Sequence, residues 1–223
     1  MARQPRAIRT RNAVLTAAAE VFARRGYEAA NIAEILTQAQ VTKGALYFHF
    51  ASKEELARGV LEHAVTGTVD HPVKVQALVD TGLLLSRRLP NEPILRGAAR
   101  LAADQGAGAF FGGPWPMWTD LTARQLAEAK EAGEIYESVD PMGTAEVLVG
   151  AFTGMQLMAL ASGTEQELVR LTSKLYELIL PGITMPAVLQ RVDTSPARSD
   201  ALLEQARAQN AAEPAPEEAA ESA

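Results

Sequence analysis

Covalent chemistry needs nucleophiles, paired acids and bases, or metal ligands, and this chain of 223 residues is poor in all of them. It has no cysteine, which removes disulfide frameworks, thiolate zinc sites, iron–sulfur clusters and cysteine nucleophiles. Its three histidines are His49, His63 and His71; the last two, with Asp70, lack the spacing of metal ligands. No nucleophile elbow and no Gly-rich phosphate loop is present, so a lactone-processing hydrolase is disfavoured. No cofactor, metal or catalytic residue is expected. The residues arranged for chemistry are those of non-covalent recognition, in the run Val41-Thr42-Lys43-Gly44-Ala45-Leu46-Tyr47-Phe48-His49-Phe50. Read as a short helix, it packs Leu46 and Phe50 inward and leaves Thr42, Lys43, Tyr47 and His49 for phosphates and base edges. Gly44 and Ala45 let the backbone approach a major groove about 12 Å wide. Phe48 is assigned to core packing at the junction with the next helix.

The charge distribution fits a surface of that kind. The whole chain carries 21 Lys+Arg and 27 Asp+Glu, net −6. Residues 1–60 hold nine bases and five acids, net +4, and the rest is net −10. A basic head on an acidic body implies that the head alone meets a polyanion. Arg3, Arg6 and Arg9 make the N-terminus itself basic.

The elements that must position these residues are helices. Val14, Leu15, Ala18, Val21 and Phe22 recur at three- and four-residue steps between Thr10 and Arg25, and Gly26 ends that stripe. Asn31 stands three residues before Glu34 and caps a short helix. Gln38 to Val41 is a tight turn, Thr42 caps the recognition run, and Ser52-Lys53-Glu54-Glu55 is a capping box opening a helix to about Val69. Longer helices follow over 73–89, 94–104 and 117–132, with a Gly- and Pro-rich loop over 105–116. Asp140-Pro141 opens a helix to Ser162, and a Thr164–Glu167 capping box opens another that Pro181-Gly182 ends. No period-two strand is found; the fold class is all-α. Three helices within 50 residues, two of them short and joined by a turn, match a helix-turn-helix.

The runs AAAEVFARRGYEAANIAEI and VTKGALYFHFASKEEL, within Ala17 to Leu56, resemble the DNA-binding domain of the TetR family of bacterial repressors. Asn31 departs from the threonine common in relatives. The resemblance implies a homodimer on palindromic double-stranded operator DNA. Carried over by position, Lys43 and Gly44 would read bases, and Tyr47, His49 and Lys53 would hold phosphates. Thr42 would meet the phosphate backbone or base edges, with Ala45 beside it, and Asn31 would donate to a phosphate while capping its helix. Arg3, Arg6 and Arg9 would form a flexible basic arm reaching along the DNA or into the minor groove.

In the body, Trp118 can stack on a ring, and Thr153 and Gln156 share one face of an otherwise apolar helix. Polar groups buried there need a partner. Ligand contact and plain core packing both satisfy that spacing. The segments Trp118-Thr119-Asp120-Leu121, Glu131-Ala132-Gly133-Glu134-Ile135, Val139-Asp140-Pro141 and Phe152-Thr153-Gly154-Met155-Gln156 resemble the γ-butyrolactone receptor subfamily. That resemblance implies a small-molecule effector of butyrolactone, butenolide or furan type, controlling antibiotic genes. Trp118, Thr153 and Gln156 would contact it, with Val65, Leu101, Phe110 and Leu121 completing the wall. Where relatives often carry a polar residue late in the fourth helix, this chain has Ala64. The alternative is a TetR-type regulator of efflux or catabolism with another small apolar ligand. The dimer interface is expected on Leu148, Phe152, Leu171, Leu175 and Leu178, forming a four-helix bundle with their copies.

The domains expected are 1–52 (helix-turn-helix and arm), 53–182 (ligand binding and dimerisation) and 183–223. The last ends in a disordered acidic tail over roughly 211–223, after a short exposed helix near 199–209. With no apolar leader, and with Val147 to Ser162 short of the roughly 20 residues that cross a bilayer, no membrane association and a cytoplasmic location are expected.

Overall fold

The computed structural model describes residues 3–65, 68–104 and 114–212. Its helices are α1 (Arg3–Ala29), α2 (Ile32–Ala39), α3 (Lys43–His49), α4 (Lys53–Ala64), α5 (Lys74–Arg88), α6 (Pro93–Ala103), α7 (Trp115–Glu131), α8 (Pro141–Ser162), α9 (Leu168–Ile183), α10 (Pro186–Leu189) and α11 (Ala197–Ala212). Among the described residues there is no strand, only an isolated bridge between Ile135 and Thr184.

Local signals account for most boundaries. Gly26, at φ +72°, breaks the helical run of α1, a conformation in which a Cβ would be strained. The Asn31 side chain accepts from the Ala33 N–H at 2.8 Å, and Thr42 Oγ1 from the Ala45 N–H at 3.2 Å. Ser52 Oγ accepts from the Glu55 N–H at 3.0 Å. Asp140 accepts from Met142 and Gly143, and Pro141 fills the first helical position.

Several expectations are corrected. The basic arm is not a loose tail, because α1 is helical from Arg3, so Arg3, Arg6 and Arg9 lie on its first turns. The fourth helix ends at Ala64 rather than near Val69. Thr164 makes no side-chain cap; a 3-10 turn at Glu165–Glu167 intervenes before α9. Pro181 does not stop α9, which runs to Ile183. A proline in a last turn forfeits one hydrogen bond only, and the Thr184 N–H still reaches the Leu180 carbonyl at 2.8 Å. The helix over 199–209 is longer, α11, and packs on α5 with Ser199 and Leu202 buried. Residues 213–223 of the acidic tail and most of the 105–116 loop lie outside the described residues.

The core has two centres. In the first, Val14, Leu15, Ala18, Val21 and Phe22 of α1 meet Ile35, Leu46, Phe50, Leu56 and Val60, with Leu95 and Leu101 of α6 closing it. The second joins Val75, Val79 and Leu83 of α5 to Leu126 of α7, Leu148 of α8, and Tyr176 and Leu180 of α9. α6 seals the head onto the body. At Gly97 an added Cβ would lie 2.5 Å from the Ala19 carbonyl oxygen, so α6 and α1 touch backbone to backbone.

Candidate functional site

The helix-turn-helix surface is built by α2, α3 and the α4 N-terminus. Gln40, at φ +54°, turns the chain, its N–H bonded to the carbonyls of Leu36 and Thr37. α3 then stands with Leu46 buried and Thr42, Lys43, Gly44 and Tyr47 exposed. A Cβ at Gly44 would meet nothing within 4 Å, leaving a flat approach for another molecule. The Lys43 ammonium lies 5.9 Å from the Tyr47 ring centroid, so the two form one cationic, aromatic strip. Ala45 and His49 are half-buried, and the His49 ring stands edge-on to Phe48 at 5.0 Å.

Phe48 departs from the core packing expected of it. It is 79% exposed and contributes nothing to the core. Phe50 already fills the junction of α3 and α4, with Arg11 stacked 5.3 Å from its ring centroid and Gly59 of α4 pressed against it. Phe48 therefore projects beside Gly44, one turn on, as an apolar group on a polar face. Lys53 is engaged within the protein: its ammonium donates to the Glu28 carbonyl at 3.1 Å and sits 4.6 Å from the Tyr27 ring centroid. Desolvation lowers its pKa, against the opposing charge of Glu28. Asn31 is exposed, its side chain holding the α2 N-terminus, and Arg9 is exposed on α1.

The second site is an apolar cavity bordered by α4 through α9. Trp118 of α7 and Thr153 and Gln156 of α8, distant in sequence, line it together with Trp115, Thr122 and Gln125. Its polar wall on α5 is satisfied: Thr81 Oγ1 donates to the Ala77 carbonyl at 2.8 Å and accepts from the Val69 N–H and from Gln125 Nε2, both at 3.1 Å. Nearby the Ser86 and Thr172 hydroxyls meet at 2.8 Å. Tyr176 donates to the Leu78 carbonyl at 3.3 Å, and burial, with the nearby Asp80 charge, pushes its pKa far up, keeping it a neutral donor. Thr153 and Gln156, half-buried on the cavity wall, have no such partner among the described residues.

The remaining expected wall residues do not join them. Val65 is the C-terminal cap of α4, and Ala64 takes its place on the wall. Leu101 is fully buried on the other side of α6, in the core with α1. Leu121 borders a separate polar depression with Asp70, Lys74, Arg124 and Glu128. Phe110 lies outside the described residues.

The face of α8 and α9 also needs correction. Leu148, Phe152 and Leu175 point to the cavity and cannot form an outer face, and Leu171 is half-buried. Of the five expected residues Leu178 alone is exposed (70%), and α8 exposes Val147 (60%) and Met158 (72%), with Gly150 and Gly154 between these two. α8 is 22 residues long and apolar enough, by length and composition, to cross a membrane, and only 17% of its most apolar window is buried. Its inner face carries Thr153 and Gln156 into the cavity, and its outer face is bare.

A helix-turn-helix head joined to an all-helical body is the architecture with which the comparisons with known proteins agree. Residues 14–60 match the profile of bacterial regulatory proteins of the tetR family, and residues 72–185 match the tetracyclin repressor-like C-terminal domain. The A-factor receptor protein of Streptomyces griseus is 41% identical over 197 residues, spanning 86% of this chain and 70% of that protein. The chain belongs to the TetR family of transcriptional regulators. Full-length TylP, a TetR regulator from Streptomyces fradiae, superposes with a TM-score of 0.85 at 36% identity, over 93% of this chain and 94% of that one. A γ-butyrolactone receptor described as ArpA-like superposes at 0.64 with 27% identity, over 90% and 99%. Within this TetR-family protein the head therefore occupies the DNA-binding part, and the cavity lies within the C-terminal domain.

Proposed function

We propose that this TetR-family regulator is a homodimeric repressor of a palindromic operator that lets go of DNA when a γ-butyrolactone or butenolide enters the cavity. The observation that carries the ligand half is the convergence of Trp118, Thr153 and Gln156, from two helices, on one apolar cavity in which the last two have no hydrogen-bond partner among the described residues. A lactone with an alkyl chain matches that chemistry: the chain fills apolar walls, the ring stacks on indole, and carbonyl or hydroxyl groups meet Thr153 and Gln156. The likeness to the A-factor receptor over most of the chain supports the same ligand class, and a solved neighbour described as a basis for control of antibiotic production by a bacterial hormone supports control of antibiotic genes.

For the DNA half, Lys43, Gly44, Tyr47 and Phe48 supply the surface entering the major groove. Thr42, Ala45 and His49 flank it, Asn31 lies at its edge, and Arg3, Arg6 and Arg9 together with Lys53 meet phosphates. Two heads bridge half-sites about 34–36 Å apart, or a multiple of that. The bare face of Val147, Met158 and Leu178 pairs with its copy, and a large exposed apolar face on two long helices is what such a bundle buries. Release follows from linkage: a ligand that favours the geometry unfit for DNA shifts the population toward it. Movement of α6 reaches the head through α4 and, more directly, through the Gly97–Ala19 contact with α1.

The test is genome-wide mapping of bound sites, followed by titration of the recovered operator complex with butyrolactones, butenolides and exported antibiotics. Release by the lactones, at sites beside biosynthetic genes, is the expected result. Release only by an exported drug would favour a regulator of efflux instead.

A further inference from the structure

α6 presents two faces with different duties. Leu95, Ala98, Ala99 and Ala102 line the cavity. Gly97 lies against the α1 backbone, where an added Cβ would come within 2.6 Å of the Ala19 Cα. With no side chain to cushion it, a displacement of α6 is handed on to α1. The end of α6 reaches further into the head. Asp104, its C-terminal cap residue, accepts the Tyr27 N–H on Oδ2 at 3.0 Å. This bond falls at the break in α1, and a Cβ on Gly26 would sit 3.1 Å from the same oxygen. From the opposite side comes Lys53, the first residue of α4. Its ammonium stacks on the Tyr27 ring at 4.6 Å and bonds the Glu28 carbonyl at 3.1 Å. The turn Gly26-Tyr27-Glu28 is thus held by the last carboxylate of a cavity helix and by the first cation of the helix that follows the recognition element.

We infer that Asp104 is a positioning residue for operator release: its carboxylate couples the cavity wall on α6 to the Tyr27 turn, and through that turn to Lys53 at the head of α4. The inference rests on the reading above, that a cavity ligand releases DNA, and adds the joint by which it does so. When α6 shifts, the Tyr27 turn follows, and Lys53 and the recognition helix change place relative to their copies. Without the carboxylate the Gly97 contact still hands motion of α6 to α1, but the Tyr27 turn and Lys53 no longer follow it, so more ligand is needed for the same release.

The test uses the full chain on an operator fragment, with a synthetic γ-butyrolactone bearing an alkanoyl chain as the probe. Wild type is compared with Asp104→Ala, the near-isosteric Asp104→Leu, and Asp104→Asn, whose amide oxygen accepts the same N–H. Probe binding is read by calorimetry and release by mobility shift. In the Ala and Leu variants, operator affinity without probe and probe affinity without DNA stay at the wild-type level, while half-release needs at least about tenfold more probe. The Asn variant releases like wild type. Release at the wild-type dose in a folded Ala or Leu variant overturns the inference. So does a folded variant that has lost the operator before any probe is added, or the failure of both variants to fold. A wild-type complex indifferent to the probe fails the underlying reading, and the inference falls with it; wild-type release without a defect in the variants fails the inference alone.

Discussion

The Arg198 guanidinium closes on both carboxylate oxygens of Asp80, Nη2 to Oδ2 at 2.6 Å, and so ties α11 to a residue 118 positions earlier on α5. Asp80 is fully buried and also accepts from Gln76 Nε2 at 2.6 Å, while Gln76 bonds the backbone of Asp193 through both of its side-chain atoms. Asp80 immediately precedes Thr81 and Gly82 of the cavity wall, so residues 193–202 brace a helix that lines the cavity.

Breaking that brace leaves a buried carboxylate short of its cation. Arg198→Met is expected to destabilise the fold by roughly 3 kcal/mol, since removing one partner of a buried ion pair costs about 3–5 and Gln76 still serves Asp80. Thermal or urea denaturation of the full chain checks this. An unchanged Tm would show that α11 is a passive appendage.

Phe48 gives the second prediction. Because it is 79% exposed, Phe48→Ala is expected to alter stability by no more than about 0.5 kcal/mol while weakening operator binding. An apolar side chain beside the open Gly44 site is suited to thymine methyl groups, so the loss concentrates on operators with thymine under that position. Binding to a set of single-base operator variants, paired with melting curves, tests it; a destabilised protein with normal DNA affinity would return Phe48 to the core.

How much of this was legible in the sequence depends on whether a helix has a direction. α1 has one: its stripe of Val14, Leu15, Ala18, Val21 and Phe22 is buried to the last residue, and the caps at Asn31, Thr42, Ser52 and Asp140 follow from side-chain chemistry alone. α8 has almost none. Its apolar residues are spread around most of its circumference, so hydrophobicity could not say whether Leu148 or Val147 faces outward; Thr153 and Gln156, in its middle, were the better guide and both line the cavity. Leu101 was misplaced because α6 buries two faces, and apolar content does not distinguish the core side from the cavity side. The run Tyr47-Phe48-His49-Phe50 offers two phenylalanines to one junction, and only three-dimensional packing chooses Phe50. The Asp104–Tyr27 and Arg198–Asp80 contacts join residues 77 and 118 positions apart, beyond the reach of any local pattern.

Lys43→Ala is expected to weaken operator binding at every salt concentration and to lower the slope of log K against log salt by about 1 if the ammonium meets a phosphate. If it reads a guanine instead, affinity falls by about 1–3 kcal/mol at one operator position and the slope changes little. Binding isotherms across a salt series separate the two, and identical curves for variant and wild type would remove Lys43 from the interface.

The bare face of α8 and α9 makes the fourth prediction. Met158→Glu combined with Leu178→Glu places charges on positions 72% and 70% exposed in the single chain, so each protomer keeps its fold while self-association fails. Sedimentation should give a dimer for wild type and a monomer with greatly reduced operator affinity for the double variant. A variant that still sediments as a dimer would place the interface elsewhere.

The most direct measurement follows cavity and DNA in one titration. The operator complex is titrated with a γ-butyrolactone while tryptophan fluorescence reports the cavity lined by Trp115 and Trp118, and the anisotropy of labelled DNA reports binding. Both signals are expected to move over the same concentration range in wild type, and Trp118→Ala is expected to stay folded and on DNA throughout. A cavity that fills while the DNA remains bound, or a Trp118→Ala variant released at the wild-type dose, would contradict the account.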